Sequence, residues 1–154
     1  MNVVISPAGV ADAGELLTVQ RAAYLVEAEH YESFRLPPLT ETLDEVRAAL
    51  TDGTVVLVAR LGHRLVGAVR GRVDGDTGHI GRLCVAPDLH GHGIGRQLLA
   101  AMERALAGRV SRLELFTGAT SEANLRLYRS AGYTDIGHRP LDSGPGLAYL
   151  EKVF

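Results

Sequence analysis

The stretch from residue 83 to 102, LCVAPDLHGHGIGRQLLAAM, constrains the fold more than any other. It opens as an apolar run of Leu83, Cys84 and Val85 and stops at Pro87, a residue that cannot continue a hydrogen-bonded ladder. Three glycines follow at alternate positions, Gly91, Gly93 and Gly95. Ile94, Leu98, Ala101 and Ala105 then recur at helical spacing, with Leu99, Met102 and Leu106 widening the apolar face. The order is strand, glycine loop, helix. The first turn of a helix has N–H groups without partners and a dipole that favours negative charge. Glycines let the backbone approach an anion closely, with φ > 0 available. Such a loop suits a phosphate, and a pyrophosphate best of all. His90, His92 and Arg96 add positive charge around it. A dinucleotide fingerprint needs its third glycine one residue later, and a Walker loop needs a lysine that is absent here. The alternative is a tight turn whose glycines serve packing alone.

A chain of 154 residues reads as one domain, 1–154, with room for a full core. Its 46% apolar content and net charge of −2 argue against disorder. No apolar run is longer than that of residues 55–59, far too short to span a bilayer, and residues 1–9 lack the basic start and apolar stretch of a signal peptide. A single cysteine, Cys84, allows no internal disulfide, so the expected compartment is the reducing cytoplasm, with no membrane partner. Residues 1–62 hold nine acids against four bases, whereas residues 63–112 hold four acids against eight bases. The basic excess surrounds the glycine loop, as an anionic ligand favours, and is too small and compact for a nucleic-acid footprint. Of the sixteen basic residues only Lys152 is lysine, which reads as coding bias rather than chemistry.

In chain order, residues 2–6 read as a strand, and Asp12 with Glu15 opens an amphipathic helix through about His30. Residues 34–39, with Pro37 and Pro38, read as a loop, and Thr42 with Glu45 caps a second helix ending near Gly53. Residues 54–61 and 64–73 are strands across the turn Gly62-His63, and Asp74-Gly75 turns into a third strand starting near Thr77. There Ile80 and Leu83 are three apart, which breaks the period of two and places a β-bulge at Gly81. Residues 111–117 form a strand, 121–130 a helix ending at Gly132, and 133–138 and 147–154 the last strands. The segment TSEANLRLYRSAGY puts Asn124 and Tyr128 on one helix face, with Leu127 and Ala131 turned to the core.

At this point the chain resembles the GCN5-related N-acetyltransferase (GNAT) family. His90-Gly91-His92-Gly93-Ile94-Gly95 approximates the family pattern Gln/Arg-x-x-Gly-x-Gly/Ala, after a bulged strand containing Val85 to Pro87. Ser121-x-x-Asn124-x-x-Leu127-Tyr128 followed by Ala131-Gly132-Tyr133 resembles the second signature. The departure is His90, where glutamine or arginine is usual. The resemblance spans nearly the whole chain and implies an α/β (α+β) GNAT fold: a mixed, mostly antiparallel sheet of about six to seven strands flanked by about four helices. Two splayed central strands, around residues 83–85 and 113–117, would hold the acyl-CoA. The implied reaction is transfer of the acetyl group of acetyl-CoA to a primary amine of a small molecule or peptide, by direct attack in a ternary complex. A non-catalytic acyl-CoA sensor on the same fold is the alternative. Members often dimerise, so a homodimer is one implied assembly.

The resemblance also implies site roles. The backbone of Leu83, Cys84 and Val85 would pair with the pantetheine, and the amides of His90, Gly91, His92, Gly93, Ile94 and Gly95 would hold the pyrophosphate, with Arg96 beside them. Asn124 would contact the pantetheine arm, and Tyr128 would lie near the sulfur and donate to the departing thiolate. An alkylamine is almost wholly protonated at pH 7, a deficit of about 4.6 kcal/mol, so a base or water chain must help. His79 occupies the position where some members carry a glutamate or histidine base. A backbone N–H freed at the bulge is suited to hold the oxyanion. Glu27, Glu29, His30 and Glu32, near the end of the first helix, would attract a cationic acceptor. Cys84 reads as a small buried hydrophobe rather than an acyl carrier, and His90 with His92 lacks a third ligand for a metal.

Overall fold

The two tight turns expected at Gly62 and Gly75 organise the centre of the sheet, in a computed structural model that describes residues 2–31, 33–142 and 144–154, the side chain of Tyr31 excepted. Both glycines are left-handed, at φ 61 and φ 58, the conformation such hairpins require. They join β2 (Val55–Leu61), β3 (Arg64–Asp74) and β4 (Thr77–Val85) into an antiparallel meander, with β1 (Val4–Pro7) on the outer side of β2. β5 (Arg112–Gly118) joins β4 in parallel, and β7 (Leu147–Val153) and β6 (Thr134–Arg139) follow antiparallel. The result is one seven-stranded sheet in the order β1-β2-β3-β4-β5-β7-β6.

Alternation along the central strands gives the sheet two buried faces. On one face Leu57, Val69, Ile80, Leu113 and Leu115 pack under α4 (Ile94–Leu106) and α5 (Glu122–Ser130). On the other, Val56, Val58, Leu65, Ala68 and Cys84 pack under α1 (Ala13–Tyr31) and α3 (Leu43–Ala49). The Thr42–Glu45 capping box forms in both directions, at 3.0 and 3.2 Å. Lys152 Nζ ties β7 to Glu103 of α4 at 3.1 Å and to the Ala131 carbonyl at 2.8 Å.

Several expectations shift. Residues 37–40 are not loop but a short helix, α2 (Pro37–Thr40), because Pro37 sits at its first position, where a missing N–H costs nothing. With α2 the described residues form five α-helices, in keeping with the expected about four. α1 starts after a 3₁₀ turn over Val10–Asp12, and Asp12 accepts from the Gly9 N–H at 2.8 Å instead of pairing with Glu15. On α5 the buried residues are Leu125 and Tyr128, whereas Leu127 and Ala131 only edge the core. Glu32 lies outside the described residues. Among the described residues no helix is long and apolar enough to cross a membrane.

The bulge in β4 is present, one residue later than expected. Arg70 pairs with Gly81 and Ala68 with Cys84, so two steps on β3 face three on β4. The extra residue brings Arg82 into the left-handed region at φ 52, the one described non-glycine residue there. β4 and β5 pair only at Thr77↔Arg112, Gly78↔Leu113 and His79↔Glu114, whereas β5 stays zipped to β7 from Arg112 to Gly118. Beyond His79 the sheet therefore forks.

Close packing behind the upper end of β4 makes a sharp test of the fold. A Cβ on Gly67 would meet the Cys84 carbonyl oxygen and Leu98 Cδ1, both at 2.9 Å. Gly67→Ala is expected to cost about 1–3 kcal/mol. A lower urea midpoint at unchanged m-value checks it.

Candidate active site

The fork opens into a cavity of ≈ 1040 Å³ on the α1 side of the sheet. β4 contributes His79, Gly81, Arg82 and Leu83, β5 contributes Glu114 to Gly118, and α5 contributes Asn124 and Tyr128. Tyr24 and Glu27 of α1 form the opposite wall, with Leu36, Pro37 and Pro38 at the start of α2. Gly81, whose Cβ would meet nothing within 4 Å, leaves the floor open.

Tyr128 is 7% exposed, and burial, with the nearby Glu27 carboxylate, holds its phenol above the usual tyrosine range. It is therefore a donor at every working pH. Asn124 Nδ2 donates to Thr117 Oγ1 at 3.2 Å, fixing its amide across the cleft from β4. Glu27 accepts from Ser121 Oγ at 2.7 Å, a link from α1 to the N-terminus of α5.

The upper edge of the fork is built from backbone. The Ala86 N–H donates to the Val66 carbonyl at 2.8 Å, so by the alternation of an antiparallel ladder Val85 turns its own N–H and C=O away from β3. Two side chains already use carbonyls here. His90 Nε2 bonds the Val85 oxygen at 2.8 Å, and Tyr24 Oη donates to the Leu83 oxygen at 3.2 Å. Past the strand, Gly91 and Gly93 are left-handed at φ 84 and φ 79, and Gly93 caps α4. The Gln97 N–H bonds Gly93 O at 3.1 Å, and among the described residues the amides of residues 91–96 have no backbone acceptor.

Behind Gly81 lies a buried charge cluster. Arg70 forks onto both oxygens of Glu41 at 2.6 and 3.0 Å, and Gln20, fully buried, donates to Glu41 at 3.0 Å. Arg82 Nε stands 3.7 Å from the same carboxylate, too far for a hydrogen bond. Desolvation works against the Glu41 charge, but the Arg70 and Gln20 bonds and the two guanidinium charges outweigh it and hold the carboxyl below its usual range.

The structure brings His79, Leu83, Asn124 and Tyr128 to one cavity. His90, Gly91, His92, Gly93, Gly95 and Arg96 lie apart from its lining, at the loop and the start of α4. Ile94 and Cys84 are buried, so any ligand would reach only their backbone. The Cys84 thiol is pushed up to about 12 by burial under α1, which leaves no thiolate for acyl transfer near neutrality. Arg96 is turned toward α5, its Nη2 donating to Ser130 Oγ at 2.5 Å. Among the described residues no group of His, Cys, Asp and Glu could hold a metal. Sequence reasoning missed Tyr24, Glu41, Arg70 and Arg82, because each acquires its role from a partner 29 or more residues away or from the bulge itself.

A model of the acetyltransferase (GNAT) family matches residues 20–133. The chain belongs to that family. It is 34% identical over 112 residues to mycothiol acetyltransferase of Kineococcus radiotolerans, a match covering 68% of this chain and 36% of that protein. It is 36% identical over 100 residues to IAA acetyltransferase of Azospirillum brasilense, covering 62% of this chain and 65% of that one. The chain thus matches just over a third of the first relative's length and just under two thirds of the second's. The fold of this GNAT member follows the PaiA N-acetyltransferase of Thermoplasma acidophilum in complex with coenzyme A over the whole of both chains, with a TM-score of 0.79 at 18% identity.

Because the Glu41 carboxyl is depressed in the folded protein, its contribution to stability is complete above the ordinary glutamate pKa and is lost as pH falls through the lower folded value. Glu41→Gln leaves two guanidinium groups uncompensated and is expected to cost about 3 kcal/mol at pH 7. Melting curves from pH 7 down to 3 check both points: the variant starts lower and has the shallower acid limb.

Proposed function

We propose that this chain is an N-acetyltransferase that moves the acetyl group of acetyl-CoA to a primary amine of a small molecule or peptide, by direct attack within a ternary complex. The observation that carries the reading is the parting of β4 from β5 beyond His79, with the Tyr128 phenol in the gap. The residues present suit acetyl-CoA. The amides of residues 91–96, which have no backbone acceptor among the described residues, and the dipole of α4 fit a pyrophosphate. The outward Val85 N–H and the Asn124 side chain fit the amides of a pantetheine arm. A protein of the same fold, the PaiA N-acetyltransferase of Thermoplasma acidophilum, was solved in complex with coenzyme A.

Acetyl-CoA supplies an acyl group already activated as a thioester. His79, on the cavity wall beside Glu114 and opposite Arg72, is the group we assign to take the proton from the attacking amine. Backbone N–H groups released at the Arg82 bulge are preorganised to hold the carbonyl oxygen as it gains charge. Tyr128 keeps its proton more firmly than an ordinary phenol, so its Oη stabilises the departing sulfur by donating a hydrogen bond rather than by giving up the proton. The thiolate takes its proton from solvent on release, and the amine proton leaves through His79, so the exchange balances without an enzyme-bound acyl group.

Free-thiol release from acetyl-CoA across a panel of amines tests the activity directly. Tyr128→Phe is expected to lower kcat about 100-fold while the dissociation constant for acetyl-CoA is nearly unchanged; equal loss of both indicates a binding role instead. Because burial raises the phenol, the wild-type kcat–pH profile should show no descending limb from Tyr128 below about pH 10.

A further inference from the structure

We infer that the acceptor is an amine that also carries a carboxylate, and that the Arg82 guanidinium receives that carboxylate. The inference rests on the acetyltransferase reading and names its substrate class. The cluster behind Gly81 holds two guanidinium groups, Arg70 and Arg82, against one carboxylate, Glu41. Arg70 takes both Glu41 oxygens, so the pair it forms is complete. Arg82 is left with a 3.7 Å approach to an oxygen already shared, and its Nε is the one buried side-chain polar atom among the described residues without a hydrogen-bond partner. Arg82 is therefore not locked to Glu41 by a hydrogen bond as Arg70 is, and its charge is only partly answered within the cluster.

Arg82 is also the described residue that the bulge forces into a left-handed conformation, and such strain concentrates at functional sites. It lines the same cavity as Tyr128 and His79. Because Arg82 Nε is buried against Glu41 and the side chain is 27% exposed, a ligand meets the terminal Nη1–Nη2 edge, which also matches the two oxygens of a carboxylate, and the surplus of one positive charge in the cluster calls for a monoanion. The rest of the cavity is charged the other way. Glu27, Glu45, Asp52, Glu114 and Asp142 line it against Arg72 and His79, which favours an ammonium group. A ligand with one amine and one carboxylate answers both halves; a simple polyamine would set a cation against Arg82.

The test is kinetic, with wild-type protein, acetyl-CoA and matched acceptors: the twenty common amino acids, their carboxamides, and diamines of two to six carbons. The expected kcat/KM for carboxylate-bearing acceptors is about 10- to 100-fold above that of the matching carboxamides. Arg82→Gln is expected to erase that preference, and Arg82→Lys, which keeps the charge but loses the fork, to retain part of it. A preference that survives Arg82→Gln in a variant that still binds acetyl-CoA by calorimetry overturns the assignment, as does equal use of acids and carboxamides or turnover of diamines alone. If Arg82→Gln does not fold, the wild-type comparison and Arg82→Lys decide. A chain that binds acetyl-CoA yet turns over no member of the panel also overturns this inference and leaves cofactor binding standing. Failure to bind acetyl-CoA at all overturns the acetyltransferase reading itself.

Discussion

One extra residue in β4 governs the rest of the architecture. A bulge bends its strand and sharpens its twist, and here the bend falls three residues after β4 last pairs with β5. The ladder on the β3 side recovers at Ala68↔Cys84, while the ladder on the β5 side does not re-form. β5 cannot follow, because it is held along its full length by β7. The gap is thus a compromise between two neighbours with different claims on a central pair. It leaves unpaired backbone in the middle of a sheet, which is tolerable only where a ligand or solvent takes its place.

The surroundings keep the bulge in position. α1 reaches over it with Tyr24 on the Leu83 carbonyl, and His90 anchors the far end of the strand at Val85. Glu41, just after α2, is locked by Arg70 and Gln20, so the wall beside Arg82 is set by three elements distant in sequence. A central cleft bounded by such ties can be open without being soft. The buried Tyr128 ring packs edge-on to Tyr133, with centroids 6.1 Å apart, which holds the phenol from behind.

Much of this was legible in the chain because the signals were local. The apolar run to Pro87, the alternating glycines and the helical stripe from Ile94 to Leu106 are contiguous, and the structure forms them as read. The bulge was visible in the broken period at Ile80 and Leu83, although it is Arg82 rather than Gly81 that adopts the unusual backbone. Asn124 and Tyr128 share a face because a helix of known register requires it. What stayed hidden was relational. Nothing around Glu41 marks it as the partner of Arg70, 29 residues on, and nothing around Tyr24 announces a bond to Leu83, 59 residues away. Pro37 and Pro38 look like loop formers until the chain entering them has the extended geometry that starts a helical turn. The orientation of Arg96 toward Ser130 likewise depends on where α5 lands.

The sole lysine, Lys152, is engaged by Glu103 and by the Ala131 carbonyl at the end of β7, away from the cleft. A protein that handles an acylating thioester in the presence of its own nucleophilic side chains is exposed to marking itself. With arginine in each of the other fifteen Lys/Arg positions, this chain offers a stray acyl donor a single side-chain amine, and that one is occupied. The same economy means that reagents aimed at lysine side chains will report on the C-terminal end of β7 and stay silent about events in the cleft.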